Sequence, residues 1–92
     1  MSEYQKNYKL KTDVVFQPMD DSAIIVSLNS EEIYKLNSTG TKIVELVEKG
    51  KSVQEIITML GEIYEIKEAE LEKEITELMN ELQSAGLIEA IQ

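Results

Sequence analysis

The hydrophobic pattern changes its period at Asn37, and this change constrains the fold more than any other feature of the chain. Before Asn37, three short segments are rich in β-branched and aromatic residues: Val14–Phe16, Ala23–Leu28 and Glu32–Leu36. Asp, Asn and Ser residues separate them, as is typical of turns between strands. After Asn37, apolar residues recur at spacings of three and four, which indicates helices. The sequence therefore predicts a three-stranded antiparallel sheet followed by helices.

Two short helices are predicted directly after the sheet. Ser38 or Thr39 is suited to cap the first helix, and Gly50 is suited to end it in the left-handed conformation. Ser52 is suited to cap the second helix. Glu55 follows three residues later and completes a capping box.

A third amphipathic helix is predicted from about Lys67 to Ser84. Together the elements predict an α+β protein, winged-helix-like in outline, with the sheet placed first. Residues 1–10 are polar and lack periodicity, so they predict a flexible N-terminal arm, and residues 11–92 then form a single domain. Residues 87–91 predict a short closing strand or an apolar tail.

The composition argues against an enzyme. The chain contains no Cys and no His, so catalytic triads, thiol nucleophiles and the commonest metal ligands are excluded. Ser38, Thr39 and Ser52 are explained as helix starts, and the glutamates of the third helix lie on its polar face. The four glycines are separate and form no phosphate-binding loop. We therefore predict no catalytic residue, no metal site and no cofactor.

The net charge limits the classes of partner that the protein can bind. The formal net charge is -9, and the nine basic residues are all Lys. Such a chain repels a phosphate backbone and lacks the arginines that commonly read guanine, so we predict no nucleic-acid partner. No apolar run approaches the roughly 18–20 residues that span a bilayer, and the first residues contain no hydrophobic signal core. The sequence predicts a cytoplasmic protein that does not contact membranes.

The strand Glu32–Leu36 and the third helix form the candidate binding site. A strand with an open edge, beside an apolar helix, can capture an extended peptide through its backbone. Ile33 and Lys35 are predicted to face one way, and Tyr34 and Leu36 the other. An open edge also allows a homodimer.

The candidate helix residues share one apolar stripe; they are Leu71, Ile75, Leu78, Met79 and Leu82. All five can be explained as core. For Leu78 and Leu82 we favour the core, whereas Leu71, Ile75 and Met79 are the better candidates for lining a groove. Met79 lies at the edge of the stripe, and flexible Met adapts to varied ligands.

Three segments, in order and at their intervals, resemble PqqD-like proteins. They are YKLNSTGTKIVELV at residues 34–47, SVQEIITML at residues 52–60 and ELQSAGLI at residues 81–88. The resemblance extends over residues 13–89. The chain departs from the family at Val44, where many members have Trp.

This resemblance implies a recognition element for ribosomally synthesised, post-translationally modified peptides. Such an element binds the leader segment of a precursor peptide and presents it to a modifying enzyme, such as a radical SAM protein or a leader peptidase. The resemblance further implies that the leader adds an antiparallel strand to the third predicted strand and lies against the third helix. The residues it points to are Glu32, Ile33, Tyr34, Lys35, Leu36, Leu71, Ile75, Leu78, Met79 and Leu82. An acidic winged-helix regulator or another protein-interaction module remains the alternative.

Overall fold

The structure, a computed structural model, describes residues 7–91. These residues fold into five strands and three helices. The strands are β1 (Asn7–Leu10), β2 (Val14–Pro18), β3 (Ala23–Ser27), β4 (Ile33–Leu36) and β5 (Ile88–Ile91). The helices are α1 (Ser38–Glu48), α2 (Val53–Tyr64) and α3 (Glu68–Ser84). The predicted α+β class, with a three-stranded antiparallel sheet followed by three helices, is confirmed. Its likeness to a winged helix stays a prediction.

The larger sheet has the strand order β2–β3–β4, and both pairings are antiparallel. Ile25, at the centre of β3, lies opposite Phe16 on one side and Tyr34 on the other. Burial alternates along β3, because Ala23, Ile25 and Ser27 are buried while the residues between them are half-buried. One face of this sheet therefore packs against the core, and β4 forms one of its edges.

A second sheet pairs β1 with β5, and here the structure differs from the predicted arm. Residues 7–10 form a strand, with Tyr8 buried and Asn7 opposite Ile91; residues 1–6 lie outside the described residues. The local pattern of β1 is polar, and its partner lies at the other end of the chain. The pairing, not the local sequence, makes this segment a strand. Of the two alternatives predicted for residues 87–91, a closing strand or an apolar tail, the structure shows the strand, which is β5.

The helix starts follow the turn chemistry of the sequence, with one difference. Asn37, and not Ser38 or Thr39, caps α1: its side-chain oxygen accepts a hydrogen bond from the Gly40 N–H over 2.8 Å. The capping box of α2 is present, because Ser52 Oγ accepts from the Glu55 N–H and the Glu55 carboxylate accepts from the Ser52 N–H. The latter bond lowers the pKa of Glu55.

The core lies between the helices and the inner faces of the two sheets. Ile25 of β3, Ile56 and Leu60 of α2, and Ile75 of α3 are fully buried there. Gly61 lies at the α2–α3 contact, where a Cβ atom would make an ordinary van der Waals contact with Leu71 at 3.6 Å. None of the helices within residues 7–91 has the length and apolar character needed to cross a membrane.

Candidate functional site

The outer edge of β4 offers unpaired backbone groups. The Ser27 N–H donates to the Glu32 carbonyl over 2.9 Å, and bonded pairs alternate with non-bonded pairs along an antiparallel ladder. Counting from this bonded pair, Ile33 and Lys35 fall in non-bonded pairs. Their backbone N–H and C=O groups therefore point away from β3. Among the described strands, none pairs with this side of β4. An extended chain can therefore hydrogen-bond to Ile33 and Lys35 without displacing β3.

An open groove of about 340 Å³ runs beside this edge. Residues 34–37 form one wall, and α1 contributes Thr39, Gly40 and Ile43. The facing wall is formed by four residues of α3: Glu74, Glu77, Leu78 and Glu81. The structure thus brings β4 and α3, the two predicted elements of the site, to a single groove.

The predicted strand residues take different positions around the groove. Glu32 is exposed and lies just before β4, where its carbonyl ends the β3 ladder. Ile33 is 62% exposed and faces the outer side of the sheet, and Lys35 is also exposed. Tyr34 is half-buried and Leu36 is buried toward the helices. The predicted alternation along this strand therefore agrees with the structure.

Four of the five predicted helix residues lie in the core and not on the groove surface. Leu71, Ile75, Met79 and Leu82 are each no more than 1% exposed. The expectation that Leu71, Ile75 and Met79 line a groove is therefore wrong for the structure described here. Leu78, which the sequence predicts in the core, is half-buried and lines the groove.

The phase of α3 explains this reversal. At roughly 100° per residue, the buried residues from Leu71 to Met79 cover an arc of about 80°. Leu78 lies about 20° beyond one end of the arc, next to Glu74, whereas Met79 lies at the opposite end. A helical wheel drawn from the sequence contains this order. Only the packing against β4 shows that the groove lies on the Leu78 side.

Three groove residues of α3 were missed because glutamates on a helix usually indicate a solvated face. Glu74, Glu77 and Glu81 are exposed, yet they form the wall that faces β4. Their position beside Leu78 on the helical wheel is the sequence signal that could have found them.

One hydrogen bond joins the two walls. The Tyr34 hydroxyl on β4 donates to the Glu81 carboxylate on α3. This bond, together with partial burial and the negative charge of Glu81, raises the pKa of Tyr34 to about 12. The phenol therefore stays protonated at neutral pH and can keep donating.

The corner between β4 and α1 is tightly packed at Gly40. A Cβ atom at this position would lie 3.2 Å from Asn37 Oδ1 and 3.3 Å from Leu36 Cδ2. The Asn37 side chain needs this close approach to cap α1 through the Gly40 N–H. Gly40 therefore helps to fix the direction in which α1 leaves β4, and with it the shape of the groove.

The groove is lined by groups that can form hydrogen bonds, apolar contacts and ion pairs. Within residues 7–91 the structure shows no group of three or more metal-ligating side chains. The groove offers backbone groups, a few apolar side chains, one ammonium and three carboxylates.

A free sheet edge facing a helix across a groove defines a small α+β domain of a known class. The chain belongs to the PqqD family: the family model described as coenzyme PQQ synthesis protein D (PqqD) matches residues 22–88. The resemblance drawn from the three sequence segments is thereby confirmed. None of the curated proteins matches the chain.

Two solved structures share the fold. One is TbiB1 in complex with the TbiA(beta) leader peptide, with a TM-score of 0.84 and 25% identity, over 88% of this chain and 94% of that one. The other is lasso peptide synthetase B1 complexed with the leader peptide. Its TM-score is 0.82 at 23% identity, over 94% of this chain and 99% of that one. Both proteins therefore hold a leader peptide on a fold similar to this one.

Proposed function

We propose that this protein is a non-catalytic binding protein that captures the leader segment of a ribosomally synthesised precursor peptide. The leader adds an antiparallel strand to the outer edge of β4 and lies in the groove against α3. The observation that carries the proposal is the outward-facing backbone of Ile33 and Lys35 beside an open groove. Family membership and the two leader-peptide complexes of similar fold support it.

The residues divide into two roles. Glu32 to Leu36 supply the docking edge, with the backbone groups of Ile33 and Lys35 as direct partners of the leader. Leu78 supplies apolar contact from α3, and Tyr34 borders the leader through its phenol ring. The other helix residues act indirectly, because their burial holds α3 at its distance from the sheet. They are Leu71, Ile75, Met79 and Leu82.

The bound leader delivers the precursor to a modifying enzyme, such as a radical SAM protein or a leader peptidase. Only the leader is held in this arrangement, so the remainder of the precursor stays accessible to the enzyme. Tethering raises the local concentration of the precursor at that enzyme. Because precursors of this class are made by ribosomes, we place this step in the cytoplasm.

The test selects a ligand and locates it. A displayed library of random peptides is panned on the protein, and the most enriched sequence, here termed the selected peptide, is titrated while backbone amide NMR shifts are followed. We expect the largest shifts at Ile33, Lys35 and the groove-facing residues of α3. Shifts confined to another surface would contradict the proposal. Pairing of β4 with a second copy of the chain would appear as a dimer in analytical ultracentrifugation, which the peptide should dissociate.

A further inference from the structure

The two walls of the groove differ in the sign of their charge. The α3 wall carries Glu74, Glu77 and Glu81, and the β4 wall carries only Lys35. Lys35 points to the opposite face of the strand from Tyr34 and Leu36, so the three carboxylates dominate the charge of the groove. A peptide that docks at β4 therefore meets an acidic surface on its helix-facing side.

These carboxylates are open to a ligand. Within residues 7–91 the structure shows no ion pair to Glu74, Glu77 or Glu81. Glu81 accepts a hydrogen bond from the Tyr34 hydroxyl through one of its two carboxylate oxygens, Oε2. Lys73 lies on the neighbouring surface with Glu70, Glu74 and Glu77, and because Glu74 and Glu77 also line the groove, the two surfaces together hold four carboxylates and two lysines.

The geometry of β4 sets the spacing between the ligand side chains that face the helix. Tyr34 and Leu36 point to the helix side, two residues apart, as alternate residues of a strand do. Tyr34 contacts Glu81, whereas Leu36 borders the groove together with Leu78. A strand paired with β4 also places alternate side chains on this face, so one of them lies beside Glu81 and the next beside the apolar pair.

We infer that the groove selects a leader segment in which a Lys or Arg stands two residues from an apolar side chain. The inference rests on the proposed function. The basic residue faces Glu81, with Glu74 and Glu77 adding to the field, and the apolar residue contacts Leu36 and Leu78. Arg fits best, because its planar guanidinium can bind a carboxylate through two parallel hydrogen bonds.

The experiment compares three forms of the protein against the same displayed library of random peptides. The first is the wild type, and the second is the groove variant E74Q/E77Q/E81Q. The third is the charge-matched control D21N/E48Q/E62Q, whose altered residues are exposed and lie outside the groove. We expect the wild type and the control to enrich sequences with Lys or Arg two residues from an apolar residue. The groove variant should keep the apolar preference and lose the basic one.

A second measurement leaves the protein unchanged. Replacing the basic residue of the selected peptide by Gln should weaken its binding to the wild type roughly two- to fivefold. The same replacement should have little effect on binding to the groove variant. Equal losses for both proteins would overturn the inference.

The outcomes separate this inference from the proposed function. Peptides that need the β4 edge but show no basic preference would overturn the inference and leave leader capture standing. The variant K35P, which removes an outward N–H, reports whether the edge is used. Peptides that bind K35P as tightly as the wild type would contradict the proposed function itself.

Discussion

At the scale of single residues, Leu78 and Met79 are neighbours in sequence with opposite positions. Met79 is 1% exposed and packs in the core, whereas Leu78 is half-buried beside the groove. Met79→Ala should lower the free energy of unfolding by about 2–5 kcal/mol, the usual cost of truncating a buried Met. Leu78→Ala should cost clearly less stability. Urea denaturation measures both changes.

In peptide binding, the effects of these two substitutions should rank in the opposite order. Leu78→Ala removes apolar contact with the selected peptide and should weaken its affinity by about 1 kcal/mol, or about fivefold. Met79→Ala should leave the affinity of the folded fraction almost unchanged, because its side chain does not reach the groove. Calorimetric titration at a temperature where both variants are folded checks this. If Met79→Ala weakened binding more than Leu78→Ala did, the assignment of the groove face would be wrong.

Tyr34 gives a prediction on pH. Its pKa in the folded protein is raised to about 12, above the ordinary value of 10.0, chiefly by the hydrogen bond to Glu81. The stabilisation that the Tyr34–Glu81 hydrogen bond gives to the folded protein is therefore fully present below pH 10, and it is lost as the pH rises toward 12. Tyr34→Phe should remove from the ultraviolet pH titration a phenol that titrates near pH 12, and Glu81→Gln should shift that phase to lower pH.

The control for this titration is Tyr64→Phe, in which the Tyr34–Glu81 bond is intact. The late phase of the titration should persist in that variant. Its disappearance there, or its persistence in Tyr34→Phe, would show that Tyr34 is not the residue concerned.

At the scale of elements, the β4 edge can be tested through its backbone. Lys35→Pro removes one N–H that points away from β3, so the β3–β4 ladder should keep its hydrogen bonds; edge strands accept Pro at such positions. We expect the selected peptide to bind about five- to tenfold more weakly, the effect of losing about one hydrogen bond. Lys35→Ala is the matched control, because it removes the side chain and retains the N–H. If both variants bound equally, the backbone of Lys35 would not be part of the site.

Elements with strong local signals were predictable from the sequence. The β-branched runs gave β2, β3 and β4, and the capping box at Ser52 gave the start of α2. The alternation along β4 also gave the correct faces for Tyr34 and Leu36. These features depend on neighbours a few residues away, which the sequence displays directly.

Features that depend on distant partners were not predictable. β1 is a strand because β5, at the other end of the chain, pairs with it. The side of α3 that faces β4 depends on how the helix packs, and periodicity alone leaves that rotation open. For this reason the sequence predicts Leu71, Ile75 and Met79 in the groove and the three glutamates on a solvated face.

The β1–β5 pairing carries its own prediction. Tyr8 is 8% exposed, so Tyr8→Ala should lower the free energy of unfolding by about 3 kcal/mol, as truncation of a buried aromatic residue does. Lys9, the next residue, is exposed, and Lys9→Ala should change the free energy of unfolding by less than about 0.5 kcal/mol. Urea denaturation compares the two. Equal, small effects would mean that β1 contributes little to the stability of the fold.

At the scale of the whole molecule, the charge separates the proposed function from its alternative. An acidic winged-helix regulator that contacts DNA would place a helix against phosphates, whereas this chain has a net charge of -9 and no Arg. α3, which faces the groove, carries most of its charge as glutamates. Non-specific DNA binding is driven by Lys and Arg that neutralise phosphates, and a surface of this kind opposes it.

The corresponding prediction is that the protein does not shift a DNA duplex in a mobility assay, even at low salt, where electrostatic attraction is strongest. The groove variant E74Q/E77Q/E81Q tests whether α3 alone prevents binding. Removing three carboxylates changes the net charge from -9 to -6, so this variant should not shift the duplex either. A shift by the wild type at low salt that vanishes as salt is raised would favour the regulator. Absence of any shift, with the selected peptide bound at β4 in the same buffer, would leave peptide capture as the function that the charge of the molecule permits.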